Sequence, residues 1–269
     1  MKDPFQQFCH ICGIYSQFIS ETDLSLREAR CLQCNASQRN SDLAKIILRT
    51  FSHNDDISLS QAEPYLRPLG IYEAQASGKI HNFLKDLPHY VCSEYFDDIP
   101  KGNRNKDGIL CENLLELSFP DDTFDLIITQ DVLEHVDCPE KAFSEIYRVL
   151  KSGGYHIFTI PYHEEKPTLR RIIIEDGEII HQYPPVYHGD PLREQGALVF
   201  TDFGSDMNIM IEKPGFSFET IPCGIWYSSS ELPYITDEKE YQTYLKYSTE
   251  RNMLEYFKYN SWVFRSRKK

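Results

Sequence analysis

The chain has 269 residues, 41% hydrophobic and 26% charged, which suits a small module joined to one α/β domain with a buried core. With no run of 18 apolar residues and no apolar core after Met1-Lys2-Asp3-Pro4-Phe5, the sequence predicts a chain without a membrane span or secretory leader. The net charge of −13 lies past residue 50: residues 1–50 hold six Lys/Arg and five Asp/Glu, the rest 22 and 36. Such an acidic body repels phosphate backbones and disfavours a nucleic-acid substrate.

The first elements in chain order are two knuckles, Cys9-His10-Ile11-Cys12 and Cys31-Leu32-Gln33-Cys34, with 18 residues between them. Two such pairs complete a tetrahedral sulfur site for one Zn2+, with Cys9, Cys12, Cys31 and Cys34 as ligands. A closed site of this kind builds structure and does no chemistry; the competing readings are free thiols or two disulfides. Cys92, Cys111, Cys138 and Cys223 read as buried thiols, so a reducing compartment, the cytoplasm, is expected. Leu43, Ile46 and Ile47 set a helical spacing over Arg39–Phe51, which leads out of the module. The expected organisation is a zinc-ribbon-like module with its exit helix at 1–50, a linker at 51–67 and a main domain at 68–269.

From there strands and helices alternate, the pattern of a doubly wound parallel sheet. Strands are expected at Leu69–Glu73, Tyr90–Ser93, Gly108–Cys111, Phe124–Thr129 and Tyr155–Ile160, with helices at Lys79–Asp86 and Glu140–Leu150. Residues 161–200, rich in proline, histidine and tyrosine, break the alternation and suit a substrate-binding insertion. A helix around Ser205–Glu212, a strand at Phe216–Ile221, a helix near 248–258 and a last strand at Ser261–Arg265 complete the expectation.

In such sheets the ligand sits beyond the carboxyl ends of the strands. The residues there are Glu73 and Gly78 after the first strand, Glu94 after the second, Asn113 after the third, and Gln130 and Asp131 after the fourth. An acidic residue past the second strand, here Glu94, can accept hydrogen bonds from ribose hydroxyls.

Leu117–Ile160 resembles the central stretch of class I S-adenosylmethionine-dependent methyltransferases. Phe124-Asp125 opens the fourth strand, Asp131–Val136 (DVLEHV) follows it, and Arg148–Gly154 (RVLKSGG) closes the next helix. The Ser93–Phe96 segment (SEYF) is similar to that of members led by a zinc ribbon. The resemblance implies a Rossmann-like seven-stranded sheet whose last strand is antiparallel, with S-adenosyl-L-methionine as cofactor. It places Glu73 and Gly78 at the methionine end, Glu94 with Tyr95 at the ribose, Asn113 and Leu114 at the adenine, and Gln130 and Asp131 below the sulfonium. One departure stands out. The family's first loop is usually E-x-G-x-G-x-G, whereas Glu73-Ala74-Gln75-Ala76-Ser77-Gly78 keeps one glycine.

A base assists when the acceptor is a hydroxyl. His135, in the motif after the fourth strand, His163, just past the fifth, and His188, in the insertion, are the candidates; each can equally pack or be solvated. Tyr162, Tyr183, Tyr187, Arg170 and Arg171 suit polar recognition of the acceptor. The expected acceptor is a small molecule, a hydroxyl of a glycan, nucleotide-sugar or natural product. The alternatives are an inactive scaffold presenting its ribbon to a partner, and methylation of protein or RNA.

Overall fold

The computed structural model describes residues 5–20, 26–189, 196–226, 234–249 and 260–269. Phe5–Phe8 and Tyr15–Ile19 pair antiparallel, and Arg30–Cys31 adds a third short strand. Each knuckle turns at its far end through a left-handed residue, Gly13 (φ +78°) and Asn35 (φ +58°), whose N–H donates to Cys9 O and Cys31 O, each at 2.8 Å. Glycine and asparagine tolerate that conformation best.

Helix α1 (Gln38–Ser52) starts where Ser37 and Asn40 cap each other: Asn40 N–H donates to Ser37 Oγ at 3.1 Å and Ser37 N–H to Asn40 Oδ1 at 3.4 Å. It ends at His53, in the left-handed region. Its apolar face, Leu43, Ile46 and Ile47, packs into one core with Ile71, Leu126, Ile128, Ile157 and Val263 of the main domain. The module therefore shares its core with the sheet. Ser261 Oγ donates to Asp42 Oδ2 at 2.5 Å and Arg265 to Thr50 Oγ1 at 3.0 Å across the same seam.

The main sheet has seven strands: β1 (Ile71–Glu73), β2 (Tyr90–Glu94), β3 (Leu110–Cys111), β4 (Phe124–Gln130), β5 (Leu150–Thr159), β6 (Phe216–Gly224) and β7 (Ser261–Lys268). Their spatial order is β3-β2-β1-β4-β5-β7-β6, parallel except for β7, which runs antiparallel to both neighbours. The chain winds outward from β1 to one edge, then returns to continue from β4 to the other. β1 and β4 therefore flank the reversal point; their middles are apolar and buried, and polar Glu73 and Gln130 stand buried at their carboxyl ends.

Helix α2 (Gly78–Leu84) follows β1, and α3 (Pro139–Val149) buries Phe143, Ile146 and Val149 on the sheet, with proline in its first turn. Between β5 and β6 come small pairings and a short helix, α4 (Asn208–Glu212); α5 (Glu238–Thr249) precedes β7. The helix at Glu238–Thr249 falls in a stretch expected to be irregular, while most of the helix expected near 248–258 lies outside the described residues.

The insertion is not a plain loop. Ile172–Glu175 and Glu178–His181 form a hairpin over Asp176 (φ +51°) and Gly177 (φ +82°), the two left-handed residues a type I′ turn requires. Tyr187–His188 pairs with Ala197–Leu198, and Val186 and Val199 pack there with Ile235 and Tyr244. No helix among the described residues is long and apolar enough to cross a membrane.

Candidate active site

A cavity of about 1100 Å³ opens at the carboxyl ends of the strands flanking the reversal point. Its wall includes Glu94, Tyr95, Asn113, Leu114, Gln130 and Asp131 of the expected set, together with Ala74, Gln75 and Ser77 of the glycine-poor loop. Glu94 closes that loop by accepting Ala76 N–H at 2.8 Å, and a carboxylate has further lone pairs for ribose hydroxyls. Only Gly78 (φ +94°) in this loop is left-handed. Residues 74–77 follow a path that needs none of the missing glycines. Asn113 Oδ1 accepts Leu115 N–H at 2.9 Å, holding the turn after β3, and its second lone pair can still take an amine.

Glu73 lies fully buried beneath the cavity, with Gly78 also outside its wall. Tyr90 Oη donates to Glu73 at 2.7 Å and Gln130 Nε2 at 2.8 Å, yet burial outweighs both bonds and pushes the carboxyl up to about 8. Glu73 is a buttress under the loop.

Two cations that the sequence did not mark reach the cavity from the cysteine module. Arg27, in the turn Leu26–Glu28, donates to Asp131 Oδ1 at 2.5 Å, and Arg39 of α1 lies 3.1 Å from Asp131 Oδ2. Burial opposes the charge, but the two guanidiniums, with Thr159 Oγ1 donating at 2.9 Å, hold the Asp131 carboxyl far below the usual range. Asn40 Nδ2 donates to Gln130 Oε1 at 2.9 Å, which ties α1 to the buttress.

Residues 79–158 match the family described as a methyltransferase domain. That stretch of the chain is therefore similar to a methyltransferase domain. Over 105 residues it is 32% identical to an uncharacterized protein of Methanocaldococcus jannaschii, covering 39% of this chain and 45% of that one. Over 95 residues it is 30% identical to the sterol 24-C-methyltransferase of Pneumocystis carinii, covering 33% of this chain and 25% of that one. The chain thus spans less than half the length of these curated relatives. Among solved structures, an S-adenosylmethionine-dependent methyltransferase of Mesorhizobium loti is similar at 16% identity and a TM-score of 0.41, covering 78% of this chain and 100% of that one. One from Methanosarcina mazei is similar at 12% and a TM-score of 0.39, covering 74% and 92%.

The histidine candidates separate. His135 and His188 line the cavity, their rings 5.2 Å apart and edge to face. His163 does not. It is buried beside Tyr234 (centroids 5.1 Å apart), and burial, with Lys166 and Arg171 adding to it, pushes its imidazole down to about 3. The sequence set His163 close to the methyl position because it follows β5, but Tyr162-His163 turns aside to pair with Phe203-Gly204. Tyr162 packs on Trp262 and Phe264, Arg170 pairs with Glu140, and buried Arg171 pairs with Asp202 at 2.6 Å. Of the insertion's expected recognition residues, Tyr187 and His188 remain on the wall.

The four knuckle cysteines converge, with sulfurs within 4.8 Å of one another and Cys9 Sγ 3.7 Å from Cys34 Sγ. A disulfide requires about 2.05 Å, whereas sulfurs about 2.3 Å from one tetrahedral ion stand close to 3.8 Å apart. The spacing fits a shared cation.

Proposed function

We propose that the chain transfers a methyl group from S-adenosyl-L-methionine to a hydroxyl of a small molecule such as a glycan, nucleotide-sugar or natural product. The observation that carries the reading is the cavity at the β1/β4 reversal point, with Glu94 on its wall at the end of β2. Bound there, the cofactor supplies an electrophilic methyl on a sulfonium. Glu94 would hold its ribose, Asn113 and Leu114 its adenine, and the 74–78 loop its methionine end. The protein's own contribution is alignment and exclusion of water, since displacement at a methyl carbon requires mainly an in-line approach. The bound donor would give up its methyl to the acceptor oxygen and keep the carbon–sulfur electron pair, and the site would have to take the hydroxyl proton to a base. His135 and His188 are the expected histidines that stand on that wall.

A structural Zn2+ held by Cys9, Cys12, Cys31 and Cys34 belongs to the same reading, because the module it folds supplies Arg27 and Arg39. Support for a small acceptor comes from the acidic body, which opposes nucleic acid, and from a concave cavity partly walled by the insertion. Calorimetry with S-adenosylhomocysteine tests the assignment. Glu94→Ala removes a charge-assisted acceptor at a cost of about 1.5–3 kcal/mol, a tenfold to hundredfold loss of affinity. No binding by the unaltered chain would sink catalysis and leave the scaffold reading.

A further inference from the structure

Three residues past Asp131, Glu134 is 1% exposed and on the cavity wall, yet neither carboxylate oxygen has a hydrogen-bond partner among the described residues. A buried, unbonded carboxylate is costly unless something compensates it. Its near neighbours are two imidazoles: His135 Nε2 and His188 Nδ1 each lie 3.7 Å from Glu134 Oε1, too far to hydrogen-bond.

The His135 ring has a defined tautomer. Its Nδ1 is 2.8 Å from Leu198 O, and a carbonyl only accepts, so Nδ1 carries the proton. In the neutral ring Nε2 then presents a lone pair toward Glu134. Two lone-pair groups facing each other across 3.7 Å repel unless a proton or a cation lies between them. Donation of the distal ring N–H to a backbone carbonyl is also how metal-bound histidines are oriented.

The insertion builds the remainder. Leu198 pairs with Tyr187 and Ala197 with His188, so one small hairpin fixes the His135 ring and delivers the third group. Gly196 (φ +82°) permits this, since a Cβ there would meet His188 O at 2.3 Å. The donor atoms of Glu134, His135 and His188 lie within 4.8 Å of one another. Ligands about 2.1 Å from one ion stand roughly 3–3.5 Å apart, so closing on an ion needs side-chain shifts of up to about an ångström.

We infer that Glu134, His135 and His188 hold a first-row divalent cation on the cavity wall, separate from the cysteine site, and that its open positions take oxygen atoms of the methyl acceptor. Two imidazoles and one carboxylate suit Mn2+, Fe2+, Co2+ or Zn2+ better than Mg2+ or Ca2+. Three protein ligands leave room for exogenous oxygens, and a hydroxyl bound beside a cation loses its proton more readily. The acceptor half rests on the methyl-transfer reading; the cation half does not.

The full chain, with zinc on its cysteines, is dialysed against Mn2+ and separately against Zn2+, and metal per chain is measured. One additional ion per chain is expected in at least one case. Glu134→Gln and His188→Ala should each weaken that ion at least tenfold while the cysteine-bound zinc stays. His188 sits half-buried on a surface hairpin, so His188→Ala reports even if Glu134→Gln misfolds; binding of S-adenosylhomocysteine, measured on the same samples, verifies the fold. Metal content that stops at the cysteine equivalent, or second-ion affinity unchanged in both variants, overturns the cation site. A second ion bound normally by a chain with no affinity for S-adenosylhomocysteine overturns the acceptor half through the methyl-transfer reading alone.

Discussion

The two ends of the short segment after β4 treat buried carboxylates in opposite ways. At Asp131, two guanidiniums and a hydroxyl converge on one side chain. At Glu134, one helical turn later, both oxygens are buried and no hydrogen bond reaches either. Glu73, beneath them, shows a third solution: its partners Tyr90 and Gln130 are uncharged, so burial keeps the proton on at neutral pH. The difference teaches where the molecule is self-sufficient. The Asp131 side is finished by the protein itself, because the cysteine module brings its own cations to it. The Glu134 side is complete only with something added.

The largest expected effect breaks the finished side. Stripping the proposed zinc from the cysteines should remove a contribution on the order of 10 kcal/mol to the module's folding. Because the module shares its core with the sheet, S-adenosylhomocysteine binding and the thermal transition should be lost together. A chelated protein that keeps its melting temperature and its affinity would show that the module and the cavity are independent.

A smaller effect sets the two carboxylates against each other. Arg27→Ala leaves Asp131 short of a buried partner and should destabilise the chain by about 3–5 kcal/mol. Glu134→Leu, assayed without added divalent ion, removes an unsatisfied polar group and should be neutral or stabilising. Denaturant titrations of both variants give the two signs directly. Equal destabilisation would erase the distinction.

The smallest effect concerns Glu73. An ordinary carboxyl titrates near 4.5 in the unfolded chain, and the folded one near 8. Between those values the folded state holds one more proton, so stability falls as pH rises across that window and levels off above it. From pH 5 to pH 7 the loss is about 3 kcal/mol. Glu73→Gln cannot titrate and should lack that part of the slope. Matching pH profiles for variant and unaltered chain would mean Glu73 is ionised when folded.

Much of this architecture was legible in the residues. Short apolar stretches such as Leu126–Ile128 marked the central strands, and the Cys-x-x-Cys spacing marked the cluster that the four sulfurs form. Strand-end polar residues fell on or just under the cavity for the same reason: parallel strands all end on one side. The Asp176-Gly177 turn was also written in the sequence, and reading residues 161–200 as a continuous insertion passed over it. Arg27 had no local signal, because its partner is 104 residues away. Glu134 lay inside the DVLEHV motif but looked like its neighbours; what distinguishes it is the missing partner, which only three-dimensional placement reveals. His163 misled for the complementary reason, since sequence distance from β5 does not say which way the chain turns.

Asn40 carries a consequence of another kind. Its carbonyl helps start α1, while its amide nitrogen meets Gln130, which in turn meets Glu73. A helix advances 100° per residue, so a frame shift of one position in α1 would swing that amide away from the sheet altogether. Inserting or deleting a single residue between Cys34 and Asn40 is therefore not a tolerated loop edit. The spacing from the last sulfur to this asparagine works as a ruler, and it measures the height at which the cavity floor is laid.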